Sequence, residues 1–278
     1  MKNIVICLFI SISIDLIAFN NEISGNRSNS EKSKLKELEI NNKYKIEPND
    51  LRLNLLREYT KKHYGEACIY LNNPQIIVIH STETENLEIV VNIFKNDLLI
   101  GRADIEFGGE VNVGTHFIID TNGEIYSNTP LDYIARHTIG FNYTAISVEN
   151  IGFADNLTEE QFNSNIKLIK YLKNKYNSIK YIIGHYEYNN NSLPHFNLYK
   201  ELDINYIHTI KIDPGTNFMN RIRNKLYNYG NSDNLFNLNI NYNDAIAELS
   251  KTDDREREIP MQLVNKYYDV KFTLLLKV

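Results

Sequence analysis

An α/β domain with helices flanking a central mixed β-sheet is the fold this sequence predicts, and three observations predict it. Short apolar runs at residues 76–80, 145–151 and 181–185 alternate along the chain with longer stretches of helical period, which is the order of an α/β sandwich. Asn122-Gly123 separates two further apolar segments, and that dipeptide sets a tight hairpin turn, so an antiparallel pair joins the sheet. Thr158 and Gln161 stand at capping-box spacing ahead of Phe162, Ile166 and Ile169, which marks where a long helix starts.

The elements follow in order. Lys2 precedes an apolar run over residues 4–19, interrupted by Ser11, Ser13 and Asp15. That is too short for a membrane span, so residues 1–20 read as a secretory signal. The protein is accordingly expected to be exported, periplasmic or envelope-associated, and not integral to the membrane after processing. Residues 21–48 are polar and read as a linker. Asn49 or Asp50 can cap a helix running to about His63, with Leu51, Leu55 and Tyr59 on one face. A strand over 75–80 follows. Thr84 then opens a helix with Leu87, Val90, Val91 and Phe94 at helical spacing, and Gly108-Gly109 leads to a strand over 115–120. That strand turns at Asn122-Gly123 into 124–126. A strand over 145–151, a helix from Thr158 to about Tyr176 and a strand over 181–185 complete the pattern. Residues 49–228 are expected to form one domain. Residues 229–278, Asn-rich at first and carrying the charge run 253–258, form an extension without a motif.

A chain of 278 residues with 42% hydrophobic residues, 19 Tyr and 12 Phe has the material for a substantial core. Its formal charge of −5, with Lys mixed among Asp and Glu, argues against a nucleic-acid partner. Cys7 lies within the apolar run, so removal of a signal leaves Cys68 alone and excludes an intrachain disulfide.

Two of the predicted strands end in His80 and His185, and Asp213 follows in Lys211-Ile212-Asp213-Pro214-Gly215. Two imidazoles and one carboxylate are the protein ligands that a catalytic zinc needs when it keeps its fourth position open. Glu149, at the end of the strand over 145–151, is placed to accept a proton from an attacking water and pass it to a leaving amine. Lys211 stands two residues before Asp213, so an extended segment puts both side chains on one face, where the ammonium can stabilise an oxyanion. His116, between apolar strand residues, reads as a packed core histidine. His63 and His208 read as surface or loop groups, and Cys68 as structural.

Several ordered segments carry a family resemblance: Val78-Ile79-His80-Ser81-Thr82, Val113-Gly114-Thr115-His116-Phe117-Ile118-Ile119, Asn122-Gly123-Glu124-Ile125, Ala135-Arg136-His137, Ser147-Val148-Glu149-Asn150, Gly184-His185-Tyr186-Glu187 and Lys211-Ile212-Asp213-Pro214-Gly215. Over about residues 74–226 the chain resembles the zinc-dependent N-acetylmuramoyl-L-alanine amidases, relatives of peptidoglycan recognition proteins and bacteriophage lysozyme-type amidases. The resemblance implies an amidase/peptidoglycan-recognition-protein-like fold, one zinc, and peptidoglycan or muropeptide fragments as partner. It also implies hydrolysis of the amide joining the lactyl group of N-acetylmuramic acid to L-alanine of the stem peptide. For His137 it implies a substrate-binding place in the cleft without metal ligation.

One departure is an insertion over residues 189–210, longer than the connection in compact family members, which contains His195 and His208. His185 is favoured as the ligand because it ends an apolar strand, whereas His195 sits in a loop flanked by Pro and Asn. The insertion is expected to form a wall of the cleft, with Phe196, Tyr199 and Tyr206 available for sugar or peptide contacts. The alternative is a non-catalytic muropeptide-binding recognition module. Such modules typically lack a metal ligand, and all three are present here. A generic zinc peptidase is disfavoured by the absence of a His-Glu-x-x-His segment.

Overall fold

The computed structural model describes residues 38–229, which belong to one compact unit beginning at Leu38. The expected signal at residues 1–20, most of the expected linker and the extension beyond residue 229 lie outside the described residues.

Five strands form one sheet in the order β3-β2-β4-β1-β5, where β1 is Ile76–Ser81, β2 Phe117–Ile119, β3 Ile125–Ser127, β4 Ala145–Asn150 and β5 Tyr181–Gly184. β2, β4, β1 and β5 are parallel neighbours, and β3 runs antiparallel to β2 through the hairpin at Asn122-Gly123. Gly123 takes a positive φ of 82° there, a conformation in which a side chain is strained. β1 is an interior strand, flanked by β4 and β5, and buried along its whole length, which explains why it reads as an apolar run.

Four helices accompany the sheet: α1 Asp50–Tyr64, α2 Leu87–Lys95, α3 Glu159–Lys175 and α4 Thr216–Tyr229. α3 has the predicted capping box, with Thr158 accepting from the backbone N–H of Gln161 while the Gln161 side chain reaches back. Its buried stripe of Phe162, Ile166, Ile169 and Leu172 packs with α4 and β2. α2 covers the other side, where Val90, Val91 and Phe94 cluster with Ile118 and Ile151. α4, which the sequence reading did not delineate, packs against β5 and α3 through buried Phe218, Met219, Ile222 and Leu226.

Two expectations are corrected. α1 is capped by Asn49 as expected, but its buried face runs through Arg52, Leu55, Leu56, Tyr59 and His63, and Leu51 is exposed. The helix is turned because Arg52 reaches Asp97 at 2.9 Å and the carbonyl of Phe94 at 2.8 Å, a pairing invisible to hydrophobic periodicity. The expected linker, in turn, stops short of residue 48. From Leu38 the chain packs on the domain: Asn41 bonds backbone to backbone with Ile125 and Ser127 at 2.8 and 2.9 Å, and Tyr44 is buried against Tyr126. The segment covers the free edge of β3, which would otherwise present unpaired backbone groups.

Among the described residues no helix is long and apolar enough to cross a membrane.

Candidate metal centre

Residues in register on neighbouring parallel strands present their side chains on one face, and His80 of β1 lies opposite Glu149 of β4. Ile118 of β2 is in register with Glu149 as well, so the site lies on the α2 side of the sheet. His185 follows directly on β5. The adjacent strands β1 and β4 therefore deliver His80 and Glu149, and the turn that follows β5 delivers His185, at the carboxyl end of the sheet, where open α/β sheets bind ligands.

Asp213 arrives from the segment before α4 and closes a triangle. His80 Nδ1 lies 3.0 Å from His185 Nδ1, His185 Nδ1 lies 3.1 Å from Asp213 Oδ2, and His80 Nδ1 lies 3.4 Å from the same oxygen. Zinc bonds of about 2.0–2.1 Å at tetrahedral angles space ligand atoms about 3.3 Å apart, so these edges fit a zinc ion. The three residues are buried. Burial opposes the charge on Asp213, yet the His185 and His80 imidazoles overcome it and hold the carboxyl well below its ordinary range. Burial and the neighbouring His185 push His80 down to about 4, so it is a neutral imidazole at pH 7, the form that ligates metals.

The other ring nitrogen of His80, Nε2, faces His137 Nδ1 at 3.3 Å, and His137 Nε2 faces the carbonyl of Ala145 at 3.4 Å. His137 therefore stands directly behind a candidate ligand and orients its ring, a second role beside the cleft position that the resemblance implies. Burial, with His80 and His116 next, holds His137 well below the ordinary histidine value.

Glu149 is partly buried, and its Oε2 is sealed from solvent without a hydrogen-bond partner among the described residues. Burial, then the charge of Asp213, pushes its carboxyl up to about 8. Lys211 is partly buried, and burial followed by the nearby charge of Arg102 lowers its pKa. Both groups belong to one electrostatic cluster with Asp213.

The remaining candidates separate. His116 is fully buried, with Nδ1 receiving the backbone N–H of Ser147 at 3.0 Å and Nε2 facing the carbonyl of Tyr133 at 3.0 Å, as expected of a core histidine. His195 is fully buried against the carbonyl of Glu187 at 3.1 Å, and neither it nor His208 joins the metal-type grouping. Cys68 is a half-buried free thiol.

His63 corrects the sequence reading, because it is fully buried rather than at the surface. Its Nδ1 meets Glu201 Oε1 at 2.7 Å and its Nε2 the carbonyl of Gly108 at 2.6 Å. Tyr206 is likewise not free for substrate. It is buried against Tyr59 and His63, and its hydroxyl accepts from Arg136 Nη2 at 3.0 Å. Arg136 also donates to the carbonyls of Ile105, Gly109 and Val111 at 2.6–2.8 Å. A Cβ on Gly108 would come within 2.4 Å of Tyr206 and 2.7 Å of Arg136, so only glycine fits there. Phe196 and Tyr199 stack on one another at 4.8 Å. A cavity of about 350 Å³ opens within the insertion, lined by Tyr199, Glu201, Asp203, Ile204, Tyr206, Ile207 and His208, and none of the metal-type residues borders it.

Comparison with known proteins gives the family. Residues 70–216 match the model described as N-acetylmuramoyl-L-alanine amidase, just over half of the chain. Among solved structures, the chain is similar to the N-acetylmuramoyl-L-alanine amidase LysC from Clostridium intestinale URNW, at 26% identity over 56% of this chain and 86% of that one, with a TM-score of 0.37. The endolysin amidase LysCS from the same organism gives 26% identity over 58% and 88%, with a TM-score of 0.40. The recognition protein PGRP-SA of Apis mellifera gives 24% over 48% and 83%, with a TM-score of 0.34. No curated protein matches the chain. Because the match spans more than half of its length and contains the whole sheet together with the ligand triangle, the chain belongs to the N-acetylmuramoyl-L-alanine amidase family.

Proposed function

We propose that this chain is a zinc-dependent, exported N-acetylmuramoyl-L-alanine amidase in which His80, His185 and Asp213 hold the metal. The observation that carries the reading is the buried triangle of two Nδ1 atoms and one carboxylate oxygen, with edges of 3.0–3.4 Å. Its substrate is the amide between the lactyl group of N-acetylmuramic acid and L-alanine, in peptidoglycan or muropeptide fragments.

Zinc in a three-ligand site of this kind supplies Lewis acidity to the scissile carbonyl and to an attacking water. Glu149, in register with His80 on the neighbouring strand, takes the proton of that water and returns it to the departing L-alanine nitrogen. The Lys211 ammonium lies in the same cluster and stabilises the negative charge developing on the carbonyl oxygen. His137 keeps the His80 ring turned toward the triangle and borders the substrate. A recognition module needs neither the full ligand set nor a shielded glutamate beside it, which favours the enzyme. Export rests on the apolar run at residues 4–19.

Metal analysis together with mass spectrometry of muropeptides tests the reading. The purified protein should carry about one zinc per chain, lose it on His80→Ala or Asp213→Asn, and release stem peptides with a new L-alanine amino terminus. Absence of zinc from the wild type, occupancy unchanged in both variants, or cleavage of glycan instead of the amide would overturn it.

A further inference from the structure

His80 and His185 are held in different ways. The His80 ring has His137 behind its second nitrogen, whereas both hydrogen-bond contacts of the His185 ring, to His80 and Asp213, use Nδ1. Among the described residues no hydrogen bond reaches the other nitrogen of His185. Nor does strand geometry hold it, since β5 stops at Gly184 and His185 opens a short 3-10 turn over His185–Glu187. The aim of this ligand therefore depends on how that turn is anchored.

The anchor is a buried charge pair. Glu187 Oε2 accepts the backbone N–H of Gly184 at 2.8 Å, closing the turn on itself. The same oxygen is paired with the guanidinium of Arg223, on α4. Side-chain exposure is 3% for Glu187 and 10% for Arg223. The turn is held at two further points: the Glu187 carbonyl faces His195 Nε2 at 3.1 Å, and the Tyr186 N–H donates to the Asp213 carbonyl at 3.1 Å. Space is tight as well, because a Cβ on Gly184 would come within 2.6 Å of Tyr186 and 3.0 Å of Met219. A buried ion pair adds little net stability compared with apolar residues of similar volume. A charged acceptor on a backbone N–H, by contrast, is strong and directional.

We propose that Glu187 and Arg223 are positioning residues for the metal ligand His185: Arg223 holds the Glu187 carboxylate, and the carboxylate holds the turn that aims the imidazole. The proposal rests on the zinc reading above and extends it to α4, because Arg223 lies outside the family-matched residues 70–216.

The test uses the full chain. Zinc affinity is measured by competition with a chromophoric chelator, and the cobalt-substituted protein is examined by visible absorption. Glu187→Gln and Arg223→Met should weaken zinc binding about tenfold to hundredfold and shift the cobalt bands. The double variant, which retains an oxygen for the Gly184 N–H and leaves no uncompensated charge, should recover part of the loss. Arg223→Lys keeps the charge without the planar fork; it should fold and bind zinc at intermediate strength. Leu226→Ala, a buried change on the same helix away from the turn, should lower the melting temperature and leave zinc affinity and the cobalt spectrum unchanged. Wild-type affinity and spectrum in the folded Glu187 and Arg223 variants, or an equal loss in Leu226→Ala, would overturn the proposal alone. A wild-type chain that binds no zinc would overturn both it and the zinc reading.

Discussion

Replacing Glu149 by Gln should abolish most activity while making the metal-free protein more stable. The amide is nearly isosteric with the carboxyl, and Glu149 lies outside the ligand triangle, so zinc occupancy should stay at the wild-type level. A positioned proton-transfer group contributes about 10²–10⁴ in rate, so kcat should fall by that factor, or about 3–5 kcal/mol of transition-state stabilisation. Stability moves the other way. Burial and the Asp213 charge raise this carboxyl from an ordinary 4.5 to about 8, so the fold holds the proton to higher pH than the unfolded chain does. Fold stability therefore declines as pH rises through that window, at about 1.4 kcal/mol per pH unit. The penalty on the metal-free wild type is roughly 4 kcal/mol at pH 8 and vanishes near pH 4. Gln carries no such penalty. Chelator-treated Glu149→Gln should melt on the order of 10 °C higher than wild type at pH 8 and no higher at pH 4. Activity is read as L-alanine amino termini released from muropeptides, and stability as calorimetric melting at the two pH values. Near-normal kcat with full zinc refutes the proton-transfer role, and equal melting temperatures at pH 8 refute the electrostatic reasoning.

Four further outcomes are expected. Lys211→Ala should retain zinc and lose about 10²–10³ in kcat; a pure rise in KM would show that it binds substrate instead. Burial pushes His116 down to about 4 from 6.5, so the unfolded chain binds the proton first and the His116 contribution to stability falls as pH drops from about 6.5 to about 4, by roughly 3 kcal/mol; a urea-measured stability difference between wild type and His116→Gln that stays constant across that window contradicts this. Leu168, fully buried in α3, should cost about 2–5 kcal/mol when changed to Ala, and a urea-measured loss below 1 kcal/mol would mean the site collapses. Residues 1–40 fused to a reporter active only after export should give signal that disappears when residues 1–20 are removed; a reporter retained in the cytoplasm refutes export.

Much of the fold was legible because its signals are local. The hairpin follows from Asn122-Gly123 and the start of α3 from Thr158 and Gln161. The triangle was legible for a related reason: His80 lies near the end of one short apolar strand and His185 directly follows another, so period and position point to the same end of the sheet. What escaped reading depends on partners far away in sequence. His63 looks like a polar helix end until Glu201, 138 residues on, is seen to meet it. Leu51 looks like part of the α1 stripe until Arg52 finds Asp97. In α4 the apolar positions Phe218, Ile222 and Leu226 carry helical spacing, but they follow a Pro-Gly turn and are separated by Asn, Lys and Arg, which lowers the contrast between its faces. The short segment over residues 38–48 gives no periodicity at all, and its order comes from pairing with the edge of β3.

The junction of His63, Glu201, Gly108, Arg136 and Tyr206 sets where this protein can be cut. α1 ends before the family-matched residues 70–216 begin, yet its Tyr59 hydroxyl accepts from Asn142 at 2.9 Å and its His63 bridges the insertion to Gly108. A fragment trimmed to residues 70–216 would lose that wedge and most of α4 together. Glu201, Tyr206 and Arg136 would then face water across a gap the size of a helix. The unit that recombination can shuffle intact must therefore begin ahead of α1, and a shorter piece inherits the ligand residues without the helix-borne contacts that brace the insertion and the turn after β5.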